Sequence, residues 1–327
     1  METQTQAHNF PLPLDFDNVS TLLDSYAWSP TTLHSDDPCH YTNNDRKASL
    51  PVIDIGDPGA YDLFVSRNRV PNSAAVLLPT EQKLLAAWLP SKLCGYGSAY
   101  FQALYAKLMW SEVFGMTGSP VEHARNLWPQ DHAKFCEVME QCLAKMKTLC
   151  NKIVGIMPGS LGLTHEDDMN WFEPQNGSDQ TQCLFHLNSY PVFPDPERGM
   201  GLAPHTDTSL ITVVKQCNIS GLQVYQDGAG WVPVEQVKGA LVVNVGDLMQ
   251  IVTNGKFKSL LHRVVVNSTC HCLATSFFLM ASSDAEISPL RKLVDSAHQP
   301  LYRLVTGKEY FQLKYKFFNK ALESIRL

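Results

Sequence analysis

Two short stretches of the chain carry side chains suited to holding a metal. His205-Thr206-Asp207 sets an imidazole and a carboxylate two positions apart, and His262 follows in a later segment. Residues two apart on a β-strand project from one face, so His205 and Asp207 would stand together and a second strand would bring His262 to them. Two imidazoles and a carboxylate on one side of an ion leave three positions open. Fe(II) sites that bind a co-substrate and O2 together have this arrangement. On residue types alone, zinc hydrolases and metal-binding cupins fit as well. Cys270-His271-Cys272 is a weaker cluster: alternation puts both sulfurs on one face, but no second pair lies near, and it is not read as a zinc site.

The elements that must position these residues can be read from periodicity. From Cys183 onward the apolar pattern has period two, broken by the turn signals Asp227-Gly228-Ala229-Gly230, Gly246-Asp247 and Asn254-Gly255. Runs such as LQVY, ALVVNV, MQIV and LLHRVVV are short, closely spaced and β-branched, as in an antiparallel sandwich or jelly roll. Upstream, Phe135, Val138, Met139, Cys142, Met146, Leu149, Ile153 and Met157 recur at three- and four-residue steps. That spacing predicts one long helix over 129–157, closed by Pro158-Gly159, whose apolar stripe packs on a core. Residues 307–327 return to a helical period. PVIDI, from Pro51 to Ile55, reads as a strand, and a helix is expected from Thr80 to Trp88.

The expected fold is therefore α+β, a jelly-roll core flanked by helices. Its parts would be an extended or partly disordered arm over 1–50, a mainly helical region over 51–170, the core over 183–300 and a C-terminal helix over 301–327.

Composition narrows the partners. A chain of 327 residues with 44% hydrophobic and 18% charged side chains can bury a large core. A net charge of −6, without any Lys/Arg block, argues against nucleic acid. No stretch is long and apolar enough for a bilayer, and the amino terminus lacks the pattern of a secretory signal. Nine scattered cysteines suit a reduced, cytoplasmic setting better than a disulfide framework.

The segments around the candidate ligands resemble the plant 2-oxoglutarate/Fe(II) dioxygenase family, and within it the gibberellin 3β-dioxygenases. The resemblance is carried by LNSYPVFPDPERGMGLAPHTDTSLITVV (Leu187 to Val214), by GLQVY and GWVPV (Gly221 to Val234), and by GALVVNVGDLMQIVTNGKFKSLLHRVVVN (Gly239 to Asn267). DSYAW, KLMWSE, LWPQD, MPGSLGLT and ISPLRKLV add to it outside the core. It implies a double-stranded β-helix fold with His205, Asp207 and His262 as Fe(II) ligands and no catalytic residue beyond them. Asn188 and Tyr190 would form the N-x-Y pair beside 2-oxoglutarate, with Tyr190 donating to a carboxylate. It also implies oxidative decarboxylation to succinate and CO2 coupled to hydroxylation by O2, with ascorbate as a supporting reductant. The implied substrate is a small molecule, a gibberellin-like diterpenoid acid.

Two departures from the family pattern stand out. Its R-x-S motif, in which an arginine grips the distal carboxylate of 2-oxoglutarate, aligns with Cys272 and Ala274. Losing that grip would weaken the co-substrate by on the order of 30- to 1000-fold. A member that keeps iron without turnover, or one acting on another plant metabolite, therefore stands beside the hydroxylase expectation. Arg263 is a poor substitute, because its odd spacing from His262 turns it to the opposite face. The second departure is between Ile55 and Leu77, where the family's helix and core strand are shortened.

Overall fold

The computed structural model describes residues 23–28, 51, 94–97, 105, 107–127, 132–163, 181–216 and 219–327. The N-terminal arm, the strand expected at Pro51 to Ile55, the shortened segment near 55–78 and the helix expected at Thr80 to Trp88 lie outside these residues, apart from short stretches.

Among the described residues there are twelve strands: β1 (Gly95–Gly97), β2 (Glu112–Thr117), β3 (Thr181–Tyr190), β4 (Leu202–His205), β5 (Ile211–Lys215), β6 (Leu222–Gln226), β7 (Gly230–Pro233), β8 (Val242–Val245), β9 (His262–Val264), β10 (Cys272–Ala281), β11 (Glu286–Ile287) and β12 (Val305–Thr306). The described residues also form the helices α1 (Pro120–Leu127), α2 (His132–Ser160), α3 (Asp247–Val252), α4 (Gly307–Phe317) and α5 (Ala321–Ser324). A six-stranded sheet runs β1-β2-β3-β10-β5-β8 and a four-stranded sheet runs β4-β9-β6-β7. Every pairing is antiparallel, and residues of both sheets line one cavity between them. This is the jelly roll that the alternation implied.

Alternation along β10 divides its work. Phe277, Leu279 and Ala281 join Phe185 and Leu187 of β3 and Ile211 and Val213 of β5 in the main core. The stripe of α2 closes that core with Phe135, Met139, Cys142, Met146 and Cys150. Side chains of this size contribute about 1.5–3 kcal/mol each when fully buried. Cys272, Ala274, Ser276, Phe278 and Met280, on the alternate positions, face the cavity. One strand thus anchors the sheet with one face and shapes the site with the other.

Several boundaries differ from the sequence reading. The helix expected over 129–157 runs from His132 to Ser160, with Pro158 inside its last turn. MQIV, read as a strand, lies in α3, because an apolar run this short fits a buried helical turn as readily as a strand. The segment 301–327 is not one helix: Val305 and Thr306 pair with β11, and the helix breaks at Phe318, whose φ is 50°. Asn254 and Gly255 form the expected turn with φ of 49° and 75°. Cys272 is disulfide-bonded, whereas Cys94, Cys136, Cys142, Cys150, Cys183 and Cys270 are free. Among the described residues, no helix is long and apolar enough to cross a membrane.

Candidate metal centre

His205 ends β4 and is the register partner of His262 on β9, so the antiparallel pairing itself brings the two imidazoles together, 4.2 Å between ring centroids with the rings tilted by 53°. Asp207 lies two residues beyond, in the turn that leads to β5. The ligand atoms of His205, Asp207 and His262 all lie within 4.8 Å of one another, and among the described residues no other such group of three occurs.

The surroundings orient each donor. His205 Nδ1 lies 2.9 Å from the Ala203 carbonyl and His262 Nδ1 lies 2.9 Å from the Leu260 carbonyl. A carbonyl only accepts, so both Nδ1 atoms carry the proton and both Nε2 lone pairs are left for an ion. The Nε2 atoms stand 3.6 and 3.7 Å from Asp207 Oδ1. Asp207 Oδ2 accepts from Thr212 Oγ1 and Asn244 Nδ2, each at 2.7 Å, which turns Oδ1 toward the histidines.

Electrostatics favours the metal-binding forms of His205 and Asp207. Burial pushes the His205 imidazole well below its ordinary range, with the neighbouring His262 adding to the effect. Burial alone would push the Asp207 carboxyl upward. The two imidazoles and the hydrogen bonds from Asn244 and Thr212 outweigh it, and the net direction is down. Neutral imidazoles and an ionised carboxylate are what a divalent ion requires. The chemistry of the donor set and the direction of its lone pairs fit Fe(II).

The three donors open onto a cavity of about 160 Å³ between the sheets. Leu184, Val214, Val242, Phe278, Met280 and Phe311 give it a mainly apolar wall. Asn188 and Tyr190 line it from β3, and burial pushes the Tyr190 phenol up, so it remains a proton donor. Directly across β10, Cys272 pairs with Tyr190 and Ala274 pairs with Asn188. All four line the cavity, and no Lys or Arg is among the described residues that do. The iron end of the site therefore fits, while the end that would take a distal carboxylate offers a phenol and no cation.

Arg263 is turned away, as its spacing required. Its Nε donates to Gln223 Oε1 at 2.8 Å, and its guanidinium lies 4.2 Å from the Trp231 ring centroid. His271 meets Ser189 Oγ at 2.9 Å and does not line the cavity.

Some residues of the site were not foreseen from the sequence. His186 lines the cavity with its ring 5.0 Å from Phe278, and burial pushes its imidazole down to about 4. Its position two residues before Asn188 on the same strand was the available signal. Phe311, from α4, closes part of the wall. Asn244 and Thr212 were hidden because nothing in a strand pattern tells which polar residue will meet Asp207.

Comparison with known proteins agrees with this geometry. The model of the 2OG-Fe(II) oxygenase superfamily matches residues 179–280. The chain is 40% identical to gibberellin 3-beta-dioxygenase 3 of Arabidopsis thaliana over 333 residues, covering 96% of this chain and 95% of that protein. It is 39% identical to gibberellin 3-beta-dioxygenase 1 of Pisum sativum over 96% of this chain and 89% of that protein. Among solved structures, JOX2 in complex with 2OG, Fe and JA superposes with a TM-score of 0.75 at 25% identity, covering 95% of each chain. A dioxygenase for auxin oxidation from rice gives a TM-score of 0.64 at 25% identity, over 80% of this chain and 85% of that one. The chain belongs to the 2-oxoglutarate/Fe(II)-dependent dioxygenase family, in the group of the gibberellin 3-beta-dioxygenases.

Proposed function

We propose that this chain hydroxylates ring A of a gibberellin-like diterpenoid acid, with Fe(II) held by His205, Asp207 and His262. Fe(II) and 2-oxoglutarate are the cofactors of its family. The observation that carries the reading is that the Nε2 atoms of both histidines and the Asp207 carboxylate meet at the wall of a mainly apolar cavity. A tetracyclic acid presents a bulky apolar body with few polar groups, and such a wall suits it.

With O2 and 2-oxoglutarate, the iron supplies the oxidising equivalent that replaces a C–H bond by C–OH, with release of succinate and CO2. The chain's own residues do the rest. Ala203 and Leu260 hold the two imidazole rings in one tautomer and one orientation through their carbonyls. Thr212 and Asn244 hold the carboxylate so that one oxygen faces the ion. Leu184, Phe278 and Phe311 exclude water from the space where the substrate's C–H would lie. Tyr190 offers its phenol hydrogen to the co-substrate.

The test is a substrate panel under air with Fe(II), 2-oxoglutarate and ascorbate, read by mass spectrometry. It sets tetracyclic diterpenoid acids against jasmonate, indole-3-acetate and a flavonoid. A gain of one oxygen on a gibberellin precursor, with an equal yield of succinate, is expected. Oxygen gain confined to another class would overturn the substrate while leaving the iron chemistry intact.

A further inference from the structure

Behind the proposed metal ligands lies a buried ion pair that takes no part in binding the ion. Lys314 Nζ, on α4, lies 2.7 Å from Asp247 Oδ2 at the start of α3, and both side chains are 1% exposed. Lys314 also donates to Thr206 Oγ1 at 2.5 Å, and Thr206 in turn donates to Asp247 Oδ2 at 3.2 Å. Tyr310, one helical turn before Lys314, donates its hydroxyl to the same carboxylate oxygen at 2.9 Å.

Thr206 is the residue between His205 and Asp207. Its two neighbours turn their side chains toward the metal site, and its own hydroxyl lies in the Lys314–Asp247 pair. The backbone is tied in the same place: Asp247 N–H donates to the Asp207 carbonyl at 2.8 Å and Leu248 N–H to the Ser209 carbonyl at 3.2 Å. Just past α4, Asn319 Nδ2 donates to the Pro204 carbonyl at 3.0 Å. The C-terminal segment and the start of α3 therefore grip 204–209 through both side chain and backbone.

We propose that Lys314 and Asp247, acting through Thr206, are positioning residues that fix the spacing of His205 and Asp207, so that α4 works as a brace for the metal site. This rests on the assignment of those two residues as ligands. A buried ion pair is weak support for stability, since well-packed apolar residues of similar volume do as well or better. What this pair supplies that apolar packing does not is directed hydrogen bonding to the one side chain set between two ligands. Partners of this kind alter metal affinity by about 10- to 100-fold when removed.

The test uses the metal-free full-length chain and titrates Co(II), whose visible d–d bands report ligand geometry, with urea unfolding run beside it. Thr206→Val removes the hydroxyl at nearly constant shape, and Thr206→Ser keeps it. Thr206→Val should bind Co(II) about 10- to 100-fold more weakly than wild type, with shifted bands and little change in the urea midpoint. Thr206→Ser should match wild type. Lys314→Met should weaken the metal as well, and the double variant Lys314→Met/Thr206→Val should lose no more than Lys314→Met alone. Should Lys314→Met fail to fold, the Val and Ser variants at position 206 still decide. Equal Co(II) affinity and equal bands for those two variants would overturn the brace. Failure of wild type to bind Co(II) would overturn the ligand assignment itself, a separate outcome.

Discussion

His205 and His262 are register partners across β4 and β9, so the distance between the two imidazoles is set by strand pairing rather than by loop conformation. Their Nδ1 atoms are both committed to carbonyls two residues upstream, Ala203 on β4 and Leu260 just before β9. The site is thus largely preorganised before any ion arrives, and the predictions below follow from that and from its departures.

The first concerns pH. Burial pushes His186 down to about 4 and lowers His205 as well. Both groups take up protons more readily in the unfolded chain, whose histidines titrate near 6.5, so stability rises with pH between the folded and unfolded values and is lost as pH falls through that window. Each group contributes a slope of up to about 1.4 kcal/mol per pH unit there. Urea unfolding of the chelator-treated chain at pH 7, 6 and 5 should show falling stability, and His186→Asn should flatten the slope. An unchanged slope in that variant would mean that the buried imidazole is not responsible.

The second concerns the co-substrate end of the cavity. Cys272 and Ala274 stand opposite Tyr190 and Asn188, where the family places a cation and a hydroxyl. Because Cys272 is disulfide-bonded, the reference is Cys272→Ser, which opens that bond without adding a cation; relative to it, Cys272→Arg with Ala274→Ser should tighten 2-oxoglutarate by on the order of 30- to 1000-fold, read by anaerobic calorimetry on the Fe(II) protein. Equal affinity in the reference and the double variant would show that the carboxylate is held elsewhere.

How much of this was legible beforehand can be followed through particular residues. The HxD spacing and the later His262 pointed to the three donors, although Asp207 lies past the end of β4, so the turn into β5 and not strand alternation aligns it with His205. The α2 stripe gave the long helix through its three- and four-residue steps. Lys314 was invisible: periodicity assigns a lysine to solvent, and only the tertiary structure supplies the carboxylate and hydroxyl that let it be buried. The helix break at Phe318 was also hidden, since a phenylalanine at positive φ is imposed by packing and not by its own preference. MQIV was misread because four apolar residues carry too little period to tell helix from strand.

The third prediction concerns Gly246. A Cβ there would overlap the Ser209 carbonyl oxygen, in the turn that carries Asp207 into β5. Gly246→Ala should cost about 1–3 kcal/mol in urea unfolding and weaken metal binding in parallel, because Ser209 can move only by dragging that turn. A variant with wild-type stability would mean that the turn yields without cost.

The central claim is that His205, Asp207 and His262 hold an iron able to bind 2-oxoglutarate. Its most direct test is anaerobic titration of the wild-type chain with Fe(II) at millimolar 2-oxoglutarate, watching for the weak visible charge-transfer band of the chelate. The account predicts a band that saturates at about one iron per chain and is lost in Asp207→Ala and His262→Ala. No band in wild type, or an undiminished band in either variant, would contradict it.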